Sequence, residues 1–223
     1  MQRSELAHLV DHTLLKPEAT NADVIAVCNE AMELATYSVC ISPTFVELAK
    51  QTVGNRIKVA TVCGFPSGKH QSSIKAMEAT LAVQQGADEV DMVIDIGRAV
   101  MNDWAAIEAD ISAVRMMIPD ALLKVILETA ALTDEQIHQA SLCAMRASAD
   151  FVKTSTGFHP AGGAEMRAIE IMRETVGGKL GIKASGAIRT AEFALELVAA
   201  GATRLGLSGT RAVLDGVDAG TDY

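Results

Sequence analysis

Along the chain, short apolar runs alternate with longer stretches in which apolar positions recur every three or four residues. The runs are Val10–Leu15 (VDHTLL), Ser38–Ile41 (SVCI), Ile57–Gly64, Glu89–Ile94, Leu122–Glu128, Phe151–Gly157 (FVKTSTG), one within Leu180–Arg189 (LGIKASGAIR) and Thr203–Gly209. Short, rich in Val, Ile and Leu, and bounded by Gly, Pro or polar residues, they predict strands. Between them the helical period covers Asn21–Ala35, about Thr44–Val53, Ser73–Gln85, about Asp103–Met117, a segment opening at Thr133-Asp134-Glu135, about Ala164–Thr175 and Ala191–Ala200; a short helix, Ser4–Leu9, precedes the first strand. Thr20 or Asn21 and Thr133 offer N-cap oxygens, Gly86 and Gly201 stand where helices stop, and Trp104 is expected to pack against the sheet. Alternation of this kind implies parallel pairing. Eight such strands in this length fit one α/β domain over residues 1–223, a closed (β/α)8 TIM barrel, better than an open doubly wound sheet.

Composition narrows the partners. The chain has 223 residues, 49% hydrophobic and 21% charged, which suits a sizeable buried core, and its net charge of −9 has no basic stripe for a nucleic-acid backbone. No apolar run reaches membrane-spanning length, and MQRSELAHLVDHTLLKP lacks the apolar core of a signal peptide, so a cytoplasmic protein with no membrane partner is expected. Cys28, Cys40, Cys63 and Cys143 lie far apart, and His8, His12, His70, His138 and His159 show no metal-ligand spacing. Neither a metal, a disulfide framework nor a cofactor is expected.

The candidate chemistry lies in charges placed inside apolar runs. Lys153 sits in FVKTSTG and Lys183, thirty residues on, in IKASG, each followed by small residues. In one poorly solvated interior, two ammonium groups depress each other's pKa, and a neutral amine attacks carbonyls. Asp91 lies in the middle of EVDMVI. Strand C-terminal ends share one mouth of a parallel barrel, so Asp91, Lys153 and Lys183 converge there, an arrangement suited to Schiff-base chemistry with a carboxylate proton relay. Small residues cluster after the last three strands, in TSTG with Thr154 and Gly157, in ASGAIR with Gly186 and Arg189, and in LSGT with Ser208 and Gly209. Their amides can approach an anion, with Arg189 adding charge. Plainer readings stay open here: a lysine that snorkels from a strand end, an aspartate in a structural ion pair, and glycines serving turn geometry.

The segments DHTLLKP, TVCGFP, EVDMVID, LKVILET, FVKTSTGF, IKASGAIR and LGLSG resemble, in order, those of the deoxyribose-phosphate aldolases, a class I aldolase family, from about residue 9 to residue 210. The resemblance implies a (β/α)8 barrel that splits 2-deoxyribose 5-phosphate into acetaldehyde and glyceraldehyde 3-phosphate without metal or cofactor. Its partners would be small phosphosugar and aldehyde substrates and further copies of itself. By this resemblance Lys153 matches the imine-forming lysine, Lys183 the lysine that perturbs it, and Asp91 the proton relay; Asp11, Thr13 and Cys40 line the same cavity, with Gly206 in the LGLSG turn. Hydroxyls at Thr154-Ser155-Thr156, against Ala184 after Lys183, agree with an imine at Lys153. Cys40, between Val39 and Ile41, reads as a buried thiol and not a nucleophile. The chain departs from the family at Phe158-His159-Pro160 after TSTG, at SGAIR in place of SGGIR, and at Ser208-Gly209 in the final loop; no motif reaches Tyr223. Two other readings are an aldolase for another phosphorylated sugar or keto acid, and a non-catalytic barrel that binds phosphate ligands. The latter would be expected to lack one of the trio, and all three are present.

Overall fold

β1 (Val10–Leu14), β2 (Ser38–Ile41), β3 (Lys58–Cys63), β4 (Glu89–Val93), β5 (Leu122–Ile126), β6 (Phe151–Lys153), β7 (Gly181–Ser185) and β8 (Arg204–Leu207) pair in chain order, all parallel, and β8 returns to β1. The computed structural model describes residues 1–219, and Tyr223 lies outside them. Around the barrel run α1 (Arg3–Ala7), α2 (Asn21–Glu33), α3 (Val46–Val53), α4 (Ser72–Gln84), α5 (Ile96–Val100), α6 (Trp104–Met117), α7 (Asp134–Arg146), α8 (Met166–Val176), α9 (Ala191–Ala200) and α10 (Thr210–Ala219). This is a (β/α)8 TIM barrel. Among the described residues, no helix is long and apolar enough to cross a membrane.

Several helices, α2, α5, α6, α7 and α9 among them, begin where the sequence supplies an acceptor. Thr20 caps α2 in a reciprocal box, its hydroxyl accepting from the Asp23 amide at 3.3 Å while Asp23 accepts from the Thr20 amide at 2.8 Å, and Thr133 with Gln136 repeats the device on α7. At the far end of α8, Gly177 takes the left-handed conformation, φ 56°, that glycine adopts without steric cost.

Strand alternation divides the residues by chemistry. Outward-facing Val90, Met92, Leu123, Val125, Val152, Ile182 and Leu205 are buried in one apolar cluster with Ile107, Ile111, Ile169 and Leu197 of the helices. Each fully buried side chain of this size contributes about 1.5–3 kcal/mol. Trp104 is partly buried against the same cluster. The opposite set, Asp11, Asp91, Lys124, Lys153, Lys183 and Arg204, joins across the barrel interior in ion pairs.

Several segments differ from the sequence pattern; β6 ends at Lys153 and leaves TSTG as a loop. The fifth strand stops at Ile126 rather than Glu128, because Glu128 turns into the left-handed region at φ 59° and starts a single 3-10 turn, Thr129–Ala131. α5 was not evident; it is one short turn stabilised by Asp95, which accepts from the Arg98 amide at 3.1 Å. α10 begins immediately after the glycine of the LSGT turn, where the sequence suggested only a loop.

Phe151 and Gly181 sit opposite each other in the β6–β7 register, and a Cβ on Gly181 would fall well inside contact with the Phe151 ring. Gly181→Ala is expected to destabilise the protein by about 1–3 kcal/mol through overpacking. Thermal unfolding followed by circular dichroism checks this, and an unchanged midpoint would mean that the ring moves freely.

Candidate active site

Parallel pairing carries the charged residues of six strands into one interior. Asp91 is fully buried, and its two oxygens divide the work: Oδ2 accepts from Lys153 Nζ and from Lys183 Nζ, each at 2.8 Å, while Oδ1 accepts from Lys124 Nζ at 2.7 Å. Lys183 also reaches Asp11 at 2.5 Å. Asp11 accepts further from Ser38 Oγ at 2.7 Å and Arg204 Nη1 at 2.8 Å. Lys124 and Arg204 share Glu89, at 2.6 and 3.0 Å.

These contacts separate the lysines electrically. Burial drives the Lys153 amine below the ordinary lysine value; Asp91 opposes the shift and Lys183 adds to it. Burial also works against charge on Lys183, but Asp11 and Asp91 together outweigh it and hold that amine above the ordinary value. Lys124 is likewise held protonated, with Asp91, Asp11 and Glu89 overcoming its burial. Burial alone would raise the Asp91 carboxyl, yet Lys124, Lys153 and Lys183 hold it well below the usual range. The sequence argument made the second lysine the cause of the perturbation at Lys153. In the folded protein burial is the larger cause.

Above the cluster opens a cavity of about 310 Å³, into which Lys153 projects. Among the described residues, Lys153 is the one cation of the buried cluster that lines it. Leu14, Leu15, Ile188 and Phe158 are apolar members of its lining, and the Phe158 ring meets Phe65 edge to face at 5.2 Å. Thr13, Gly157, Gly186, Arg189, Gly206 and Ser208 line the remainder together with Lys16. A larger depression of about 530 Å³ lies at the opposite mouth, by Tyr37, Lys58 and Asp88, where Lys58 and Asp88 are paired to each other at 3.0 Å.

Not every expected residue reaches the cavity. Asp11, Asp91 and Lys183 lie beneath it in the cluster, as does Cys40, fully buried with its thiol pushed up by that burial. Thr154 is also fully buried, its hydroxyl donating to Ser185 O at 3.2 Å and accepting from the Ser185 amide at 3.1 Å, so it ties β6 to β7. Thr156 gives its hydroxyl to Glu128 at 2.6 Å, and Ser155 Oγ is buried without a partner. The hydroxyls after Lys153 are thus committed or buried, and exposure to the cavity is what distinguishes it from Lys183. Gly209 is not among the lining residues.

The loops after β6 and β7 meet through glycines. A Cβ on Gly186, φ 86°, would lie 3.0 Å from Gly163 Cα and 3.3 Å from Gly157 Cα, so larger residues would force the loops apart. Ala187 adopts φ 61°, a conformation that costs a residue bearing a Cβ about 1–2 kcal/mol. It stands where the resembled pattern has its second glycine.

Comparisons with known proteins identify the family. The family model described as DeoC/LacD family aldolase matches residues 6–215. The chain belongs to the DeoC/LacD aldolase family. It is 58% identical over 217 residues to the deoxyribose-phosphate aldolase of Kocuria rhizophila, covering 97% of this chain and 98% of that one. With that of Nocardia farcinica it shares 60% over 215 residues, covering 96% and 95%. The solved deoxyribose phosphate aldolase of Aeropyrum pernix, described as tetrameric, superposes with a TM-score of 0.88 at 30% identity over 96% of this chain and 91% of that one.

Sequence reasoning passed over Lys124, Glu89, Arg204, Glu128 and Lys16. Lys124 carried the signal that marked Lys153, a lysine inside an apolar run, in LLKVILE. Among the described residues of this aldolase no group of His, Cys, Asp and Glu is arranged to hold a metal ion, and the three carboxylates of the cluster are occupied by cationic side chains.

Thr156 is a hinge between site and scaffold: it lines the cavity while its amide and hydroxyl both donate to the buried Glu128, the amide at 3.1 Å. Thr156→Val is expected to cost about 1.5–3 kcal/mol, the worth of a hydrogen bond to a charged group, and to raise KM more than it lowers kcat. Urea unfolding and steady-state kinetics on one sample check both parts.

Proposed function

We propose that this aldolase reversibly cleaves 2-deoxy-D-ribose 5-phosphate to acetaldehyde and D-glyceraldehyde 3-phosphate through an imine on Lys153. The observation that carries the reading is that Lys153 alone combines a depressed amine pKa with access to the cavity, while Lys183 and Lys124 remain charged below it. The named relatives support the substrate.

In this reading the neutral Lys153 amine attacks C1 of the open-chain sugar, and the carbinolamine loses water to give the iminium. The proton of the C3 hydroxyl leaves, the C2–C3 bond breaks, and its electron pair moves into the iminium to form an enamine. Glyceraldehyde 3-phosphate departs; protonation of the enamine at C2 and hydrolysis release acetaldehyde and restore the amine. Asp91, bonded to both Lys153 and Lys183, takes and returns the protons. Lys183 stays charged and disfavours a second charge on Lys153. Arg189 and Lys16 at the cavity rim, with the amides of Gly157, Gly186, Gly206 and Ser208, hold the phosphate. Self-association into a homo-oligomer belongs to the same proposal, supported by the tetramer described for the Aeropyrum pernix protein.

Borohydride with acetaldehyde is expected to leave a two-carbon ethyl group on Lys153, located by peptide mass mapping, and Lys153→Ala is expected to abolish the label. Only the neutral amine attacks, so labelling rises with pH through the pKa of Lys153; because that pKa is lowered, the midpoint falls below the ordinary lysine value of 10.5. A label on Lys183, or a midpoint at the ordinary value, would sink the assignment.

Asp91→Asn is expected to retain the fold yet lose most turnover, since the amide cannot accept and return a proton. Far-UV circular dichroism and retro-aldol kinetics decide between this and a purely structural aspartate, whose replacement would unfold the protein. Unphosphorylated 2-deoxyribose is expected to show a kcat/KM lower by at least about tenfold, the equivalent of one lost charge-assisted contact of about 1.5 kcal/mol; equal values would exclude the phosphate subsite.

A further inference from the structure

The ion pairs inside the barrel form one charge cluster with an odd member. Among the described residues, four cations, Lys124, Lys153, Lys183 and Arg204, face three carboxylates, Asp11, Glu89 and Asp91, an excess of one positive charge. The contacts are unequal. Arg204 pairs with Asp11 and Glu89, Lys183 with Asp11 and Asp91, and Lys124 with Glu89 and Asp91 and more distantly with Asp11 at 3.6 Å. Among the described residues Lys153 pairs with Asp91 alone, and Asp91 Oδ2 is shared with Lys183. In a desolvated interior the cation with least compensation is the one whose proton costs most.

Glu89 and Arg204 take no part in the proposed chemistry. Neither lines the cavity; both lie on the opposite side of the cluster, where the Arg204 guanidinium stacks 3.6 Å from the Tyr37 ring centroid and 5.4 Å from that of Phe151. They are nonetheless 2% and 5% exposed, so their charges are poorly screened. We propose that Glu89 and Arg204 are positioning residues whose charges set the balance of the buried cluster and thereby leave Lys153 as its surplus cation. The inference rests on the assignment of the imine to Lys153.

The groups that face Lys153 are Asp11 from β1, Cys40 from β2, Asp91 and Glu89 from β4, Lys124 from β5, Lys183 from β7 and Arg204 from β8, with Lys16 and Arg189 at the cavity rim. β3 presents Ala60 and Val62, which carry no charge. Removing the Glu89 charge makes the interior more positive and favours the neutral amine at Lys153. Removing the Arg204 charge does the reverse. Removing both restores the original excess of one.

The test is the pH midpoint of borohydride trapping of acetaldehyde at Lys153 in wild type, Glu89→Gln, Arg204→Gln and the double variant, each checked for fold by far-UV circular dichroism. Glu89→Gln, nearly isosteric, is expected to lower the midpoint by about one pH unit, and Arg204→Gln to raise it by about as much, each a roughly tenfold change in the neutral fraction at a given pH. The double variant is expected to return close to wild type. Midpoints that stay put while stability falls, or single variants that move in the same direction, would overturn the proposal; if Arg204→Gln does not fold, the direction of Glu89→Gln decides alone. A wild-type protein that traps nothing at Lys153 would overturn the imine assignment instead, which keeps the two failures distinct.

Discussion

The electrostatics of the barrel interior turn on Asp91, which serves three lysines at once. A carboxylate in such a place is tolerable only if its lone pairs are occupied by charged donors, and Lys124, Lys153 and Lys183 supply them from three successive strands. The dependence runs both ways, because each buried ammonium needs a carboxylate. Strand register is therefore under electrostatic as well as apolar control. Slipping β6 by one residue would turn Lys153 outward into the helix layer and Val152 into the ion cluster.

A closed parallel sheet makes this economical in space. Outside the strands, Val, Ile, Leu and Met fill the layer beneath the helices, and that layer supplies most of the burial free energy. Inside, the same strands are free to hold polar side chains, because the barrel excludes water without requiring every inward position to be apolar. The price is borne locally: Gly206 leaves room for Lys183, since a Cβ there would fall 3.2 Å from Lys183 Cε and 2.9 Å from Ser185 Cβ. Function and packing are thus divided between the two faces of each strand.

That division explains what was legible. The strand count, the barrel and the trio of Asp91, Lys153 and Lys183 could be read because charged residues interrupted runs otherwise built for burial. Lys124 gave the same local signal but has no small-residue loop behind it, so nothing drew it into the argument. Glu89 and Arg204 stand at the first positions of their strands, where a charge ordinarily marks a solvated strand end; only closure of the barrel places them inside. Thr154 was misleading for a related reason. Its hydroxyl looked available beside Lys153, but successive side chains on a strand point to opposite faces, and Thr154 serves Ser185 instead. α5 has five residues, too few for periodicity to register, and α10 opens directly on the LSGT turn, whose small residues read as a loop.

The cavity lining is mixed, and this bears on how a phosphosugar would lie in it. The residue following TSTG is Phe158, whose ring is braced edge-on by Phe65, so the mouth above β6 is apolar. A phosphate turned toward that wall would lose hydration without gaining a donor, a loss no apolar contact offsets. The charged donors of the lining are Lys16, after β1, and Arg189, three residues after Gly186 in the loop after β7. Between them Ala187 accepts a left-handed backbone that glycine would adopt more cheaply, and its neighbour Gly186 keeps the loops after β6 and β7 in contact. Part of the backbone strain thus lies in the stretch whose amides would meet an anion. If the phosphate meets these donors and the imine forms at Lys153, as proposed, the apolar lining is left to cover the uncharged carbons between them, and the length of the five-carbon chain becomes the dimension that the cavity measures.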